Sequence, residues 1–200
     1  MKTMYLLLIA LLVTACNSDD TVDPASLLPP ITMTGENTFG CLIDGKFFRP
    51  RDGGSTINSD NKGLILRSSG DNSIEIDAHD YKSSKVSSIL IRVKDIDIHR
   101  VGTYVIDESN GLRGIDGMDN SYIHCRIWNN EVGSYQTYLS YENSGLLNVS
   151  RLERSPGIYF YHSGTFETKL INSQNQNDTI KVTLGRFDID TVKLLQTNFN

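Results

Sequence analysis

The side chains best suited to chemistry lie on two neighbouring segments. Tyr122, His124, Arg126 and Trp128 occupy alternate positions of one, and Tyr135, Tyr138 and Tyr141 sit on the next. Alternate residues of a strand share a face, so the first four would present rings and a guanidinium together. Flat amphipathic rings beside arginine stack on sugars or anchor a protein partner. Tyr122, Arg126, Trp128, Tyr135 and Tyr138 are therefore the candidate ligand-binding residues. The competing reading is structural: Tyr and Trp favour strands, and cross-strand aromatic pairs add about 0.2–1 kcal/mol with no ligand present.

Two acidic triplets come next. Glu75, Asp77 and His79 fall at alternate positions, and Asp95, Asp97 and His99 repeat the pattern twenty residues later. On paired strands they would gather carboxylates and imidazoles for a hard or borderline cation. The residues between them are Ile74, Ile76 and Ala78, or Ile96 and Ile98, so an ordinary solvent face opposite a core face is the simpler expectation. No metal ligands and no cofactor are assigned on spacing alone. Gly-x-Ser-x-Gly, His-Glu-x-x-His and the phosphate-cradling loop are all missing from the sequence, and no catalytic residue is assigned. His124 cannot easily serve Cys125 as a base, because adjacent strand residues point to opposite faces.

Cys41 shares its parity with Phe39 and Ile43, and Cys125 with Ile123 and Ile127, so both thiols should face the core. Outside the cytosol such a pair could oxidise, and closing so long a loop would add about 4–5 kcal/mol in the chain-entropy account. Two separate thiols acting as small hydrophobes are the alternative.

The elements that must position these groups have a period of two. Asp44-Gly45 between apolar runs marks a hairpin over residues 38–49. Clean alternation marks strands at 73–78, 89–93 and 122–127, with others at 64–67, 103–106, 136–141, 146–152, 158–170 and 179–189. Gly164 and Gly185 interrupt such patterns, as at a bulge or sharp bend. No segment sustains helical spacing. Roughly ten short strands predict an all-β fold, an antiparallel β-sandwich in preference to a closed, lipocalin-like barrel.

Residues 1–15 have a short basic start at Lys2, ten apolar residues from Met4 to Val13 and a small-residue exit, the layout of a removed signal peptide too short to span a bilayer. Its end, Val13-Thr14-Ala15-Cys16, closely resembles the lipobox of bacterial lipoproteins. Asn17-Ser18-Asp19-Asp20 resembles the acidic signal that exports Bacteroidetes lipoproteins to the cell surface. That resemblance implies lipidation at Cys16, where several acyl chains hold what one would release. Residues 16–36 are rich in Asp and Pro and are expected to form a solvated tether, followed by one β domain at 37–200. Asp20-Thr21-Val22, Asp178-Thr179-Ile180 and Asp190-Thr191-Val192 match the short Bacteroidetes O-glycosylation motif, the first alone in a segment expected to be exposed.

Signal removal takes Lys2 from the 19 basic residues and none of the 24 acidic ones, leaving a net charge of −6. With no Lys/Arg run longer than two, nucleic acid is not an expected partner. Thr38-Phe39-Gly40-Cys41-Leu42-Ile43-Asp44-Gly45-Lys46, Gly164-Thr165-Phe166 and Gly185-Arg186-Phe187-Asp188 together resemble a family of Bacteroidetes surface lipoproteins of unknown role. The resemblance implies a lipid-anchored outer-membrane protein facing the cell exterior and supplies no catalytic residues. Three functions follow as expectations: a non-enzymatic binding module for a glycan or protein ligand, a structural subunit of an envelope complex, or, third, a metal-dependent enzyme.

Overall fold

A computed structural model describes residues 22–55, 57, 60–69, 71–155 and 158–200, of which 154, 155 and 158–160 by their backbone alone. Cys16, the signal peptide and Asp20-Thr21 lie outside the described residues.

The chain is all-β and antiparallel. Its strands are β1 (Thr38–Ile43), β2 (Lys46–Phe48), β3 (Leu64–Ser68), β4 (Ile74–Asp80), β5 (Ser87–Val93), β6 (Gly102–Ile106), β7 (Tyr122–Asn129), β8 (Ser134–Leu139), β9 (Gly145–Ser155), β10 (Ile158–Asn172) and β11 (Thr179–Asp190). They form one sheet in the order β2-β1-β11-β10-β8-β7-β5-β4-β3, with β9 bridging β10 and β6. The sheet is curled into a half-barrel. A single sheet, curled but with its end strands β2, β3 and β6 each paired on one side, thus stands between the two arrangements expected from the sequence.

The first hairpin turns at Asp44 and Gly45, both at positive φ (50° and 76°), as the Asp-Gly signal requires. The curl comes from bulges. Register slips between Phe166 and Thr168 where β10 pairs β11, and between Gly40 and Leu42 where β1 pairs β11. A Cβ at Gly164 would lie 2.4 Å from the Asn148 carbonyl oxygen, and one at Gly185 would lie 2.5 Å from the Phe166 ring. These close approaches let the bent strands fold over Phe39, Phe166 and Phe187, whose rings pack at 5.6 and 6.4 Å. Inward-facing Ile74, Ile76, Ile89, Ile91, Ile123, Leu147 and Leu170 complete the core, each contributing about 1.5–3 kcal/mol by leaving water.

Cys41 and Cys125 lie in that core, as their parity predicted, and both are free thiols. Burial pushes both well above the ordinary thiol range, and for Cys125 the nearby Cys41 adds to the effect. A thiolate is the reactive form, so both are chemically quiet in the folded state.

Residues 22–36 depart from the expected tether. A short 3₁₀ turn at Pro24–Leu27 is capped by Asp23, Pro29 rests against Gly40, and the Pro29 carbonyl accepts from Arg186 at 3.1 Å. The Asp188 carboxylate then receives Thr32 Oγ1 (2.7 Å), the backbone N–H groups of Thr34 (3.0 Å), Gly35 (2.9 Å) and Glu36 (3.2 Å), and Ser163 Oγ (2.6 Å). The folded unit therefore includes this segment. Proline-rich composition suggested solvation, but one buried carboxylate far along the sequence organises it. At the other end, Asp190 caps helix α2 (Thr191–Leu194) through Val192 N–H at 3.0 Å. The Asp-Thr-Val motif there is a helix cap. Helix α1 (Ile96–His99) replaces the strand expected for the second acidic triplet. Asp95 enters it at φ 53°, so Asp95, Asp97 and His99 share no strand face and do not pair with the first triplet.

Candidate binding cleft

The outward face of β4, β5, β7 and β8 is built by register. Glu75 lies opposite Arg92 and Arg92 opposite Tyr122; Asp77 lies opposite Leu90 and Leu90 opposite His124; His79 lies opposite Ser88 and Ser88 opposite Arg126. The inward face of the same strands is isoleucine, so the polar residues are forced to one side. They do not simply face solvent. Residues 107–121, between β6 and β7, fold back across them as a strap.

Buried ion pairs fasten the strap. Arg92, 3% exposed, reaches Glu75 at 3.2 Å and also pairs with Asp71. Glu75 accepts the Gly114 N–H at 2.7 Å, and Tyr122 donates its hydroxyl to the Leu112 carbonyl at 2.9 Å. Asp77 is held by Arg67 (2.9 Å), Arg113 of the strap (2.9 Å) and His79 (2.7 Å). Burial alone would raise the Asp77 carboxyl, but bonds and charges from His79 and Arg67 bring it down to about 2. Both of its oxygens are committed to partners already in place. Glu75, Asp77 and His79 do share one face, yet no group of three or more His, Cys, Asp or Glu among the described residues is placed to hold a metal ion.

Beside the strap the face opens into a cleft of about 340 Å³, within the range of small-ligand sites. Its floor includes His79, Ser88, His124, Arg126 and Thr137, and its wall includes Arg113 and Asp116 of the strap. His124 contacts Ser109 Oγ at 3.1 Å and stacks on Tyr122, while His79 stacks on Tyr81 at 5.0 Å. From the cleft an aromatic strip runs outward. The Arg126 guanidinium lies 3.8 Å over Tyr135, Tyr135 meets Trp128 edge-to-face at 5.2 Å, and Lys85 Nζ sits 3.6 Å above Trp128. Each ring carries a cation or a second ring, which fixes its orientation at little further entropic cost.

The structure brings together Arg126, Trp128 and Tyr135 of the five expected binding residues and removes two. Tyr122 has the expected parity but is fully buried beneath the strap. Tyr138 lies opposite Cys125, on the core side, with its hydroxyl donated to Asp178 at 2.8 Å. Its three-residue spacing from Tyr135 already placed it on the other face. Arg67, Arg92 and Arg113 were missed. The signal available for one of them was the charge pairing of Glu75 with Arg92 across two alternating strands.

Burial holds His124 down at about 4, with the Asp77 charge opposing and the Arg113 charge assisting. His162, buried on β10, is also lowered to about 4 by burial, with Asp97 opposing. An unfolded histidine titrates near 6.5. Between about pH 6.5 and 4 the unfolded chain therefore binds protons that the folded chain refuses, and stability falls as pH falls through that window. Denaturant midpoints measured across it should decline steadily, and His124→Asn should flatten the decline. A midpoint independent of pH over this interval would contradict the burial of both rings.

No family model matches this chain, and no curated protein or solved structure matches it.

Proposed function

We propose that this chain is a lipid-anchored outer-membrane protein, facing the cell exterior, whose β domain binds a glycan or protein ligand without transforming it. The observation that carries the binding reading is the union of the strap-walled cleft with the ring-and-cation strip, continuous through Arg126. A sugar would stack on Trp128 and Tyr135 and place its hydroxyls against Arg126, Arg113, Ser88 and Thr137. Such rigid aromatic anchors beside arginine dominate binding hot spots.

The character of the histidines supports binding over catalysis. His124 is a weak base near neutral pH because burial disfavours its charge, and its hydroxyl neighbour, Ser109, is itself buried. A general base works best with a pKa near the operating pH. The structural-subunit reading draws support from the strap tip, where Ile115 is fully exposed and Leu112 half exposed, since apolar side chains at a site rim suit a protein partner.

Glycan-array and envelope pull-down profiles of the mature chain, compared with Trp128→Ala and Arg126→Ala, test the proposal. Either substitution should weaken a genuine ligand about 30-fold. Unchanged profiles in both variants would refute it.

A further inference from the structure

Strands β6, β9, β10 and β11 carry a second surface that the cleft does not use. Leu184 is about half exposed and sits at φ 52°, at the bulge where β11 bends. Leu146 and Val105, directly paired across β9 and β6, are exposed on the same side. Ile31, from the docked N-terminal segment, is exposed and joins Leu146 and Leu184 around a hollow of about 380 Å³. Exposed apolar side chains gathered this way mark an interaction surface.

Its charge says what it meets. Lys169 of β10 lies directly opposite Lys181 of β11, both exposed, and like charges so placed destabilise a sheet. Both lysines border a second, smaller hollow of about 230 Å³, which shares Leu146 and Glu167 with the first. Arg186 lies beside Leu184 and Ile31, so three cations stand here against Glu167 and the exposed Asp44, whose backbone N–H donates to the Lys181 carbonyl at 2.7 Å. The chain as a whole is acidic. A local cationic patch ringed by leucines on such a protein fits an anionic lipid surface, which attracts lysines held near its headgroups.

Chain length keeps the domain close to its anchor. Cys16 precedes Val22, the first described residue, by six positions, which span at most about 20 Å. With residues 22–36 docked, an anchor at Cys16 would hold the domain against the bilayer without a long spacer. We propose that the Leu146–Leu184 face, with Lys169 and Lys181, lies on the anionic bilayer to which Cys16 is attached. This rests on the lipid-anchor reading.

Lysine footprinting tests it. The mature chain from Cys16 is coupled through that thiol to a maleimide phospholipid in vesicles, so attachment does not depend on cellular acylation. Acetylation rates are then compared on phosphatidylcholine alone and on phosphatidylcholine with phosphatidylglycerol. Lys169 and Lys181 should react about fivefold more slowly on the anionic vesicles, and Lys82, at the β4–β5 turn, should be unaffected. Leu184→Asp, whose side chain tolerates positive φ, should abolish the protection. Equal rates at Lys169 and Lys181 on both vesicles, or equal slowing at Lys82, would overturn the proposal. Lipidation itself is judged separately, by palmitate labelling of Cys16.

Discussion

Asp188→Ala is expected to destabilise the domain by about 4 kcal/mol and to release residues 22–36 to proteolysis. The Asp188 carboxylate is almost fully buried and accepts from Thr32, Thr34, Gly35, Glu36 and Ser163. Burial would raise its pKa, but these donors, Ser163 and Thr32 foremost, hold it below the usual carboxylate range. Removing the acceptor strands several donors at once, and each buried donor without a partner costs about 1–3 kcal/mol. Asp188→Asn keeps the shape and one acceptor oxygen, so it should cost less and leave the segment partly protected. Denaturant unfolding measures the first effect and limited trypsin or thermolysin cleavage the second. An alanine variant as stable and as protease-resistant as the parent would show that the N-terminal segment is not held this way.

Arg92→Met should cost about 3–5 kcal/mol, because it leaves Glu75 charged, buried and deprived of its main partner. Among the described residues, Glu75 would retain the Gly114 N–H. For a chain of this length such a loss lowers the melting midpoint by about 10 °C. Adding Glu75→Gln removes the stranded charge, so the double variant should be more stable than Arg92→Met alone. That inversion separates a buried ion pair from a simple packing defect. Because Gly114 fastens the strap to this pair through its N–H on Glu75 and its carbonyl on Arg92, ligand affinity at the cleft should fall in Arg92→Met even under conditions where the variant is folded. If the single variant unfolds at the parental midpoint, the strap is not anchored through Arg92.

The strand framework was legible in the residues because its causes are local. Asp44-Gly45 sets the turn of the first hairpin, alternating Ile residues set the inward face of β4 and β5, and Gly164 and Gly185 mark where backbone and ring must touch. What could not be read depends on partners distant in sequence. Asp188 lies about 150 positions from the segment it organises, so a run of prolines looked like a solvated spacer. The alternation of Asp95, Ile96, Asp97 and Ile98 imitated a strand over four residues, too short a span to separate period two from a single helical turn. For the candidate site, Arg126, Trp128 and Tyr135 followed from parity. The burial of Tyr122 did not, because it is imposed by a strap whose path over the sheet is fixed by Arg92, Arg113 and Glu75.

Trp128 is the single tryptophan of the chain, so its fluorescence reports on the central claim without labels. A glycan or protein ligand identified on the array should, when titrated into the mature chain, shift or quench Trp128 emission saturably as it displaces Lys85 from the ring. The midpoint should match the binding constant and move to higher concentration in Arg126→Ala. Saturable binding with no change in Trp128 emission, and with affinity indifferent to Arg126, would place the ligand elsewhere and contradict the assignment of this cleft and strip as the binding site.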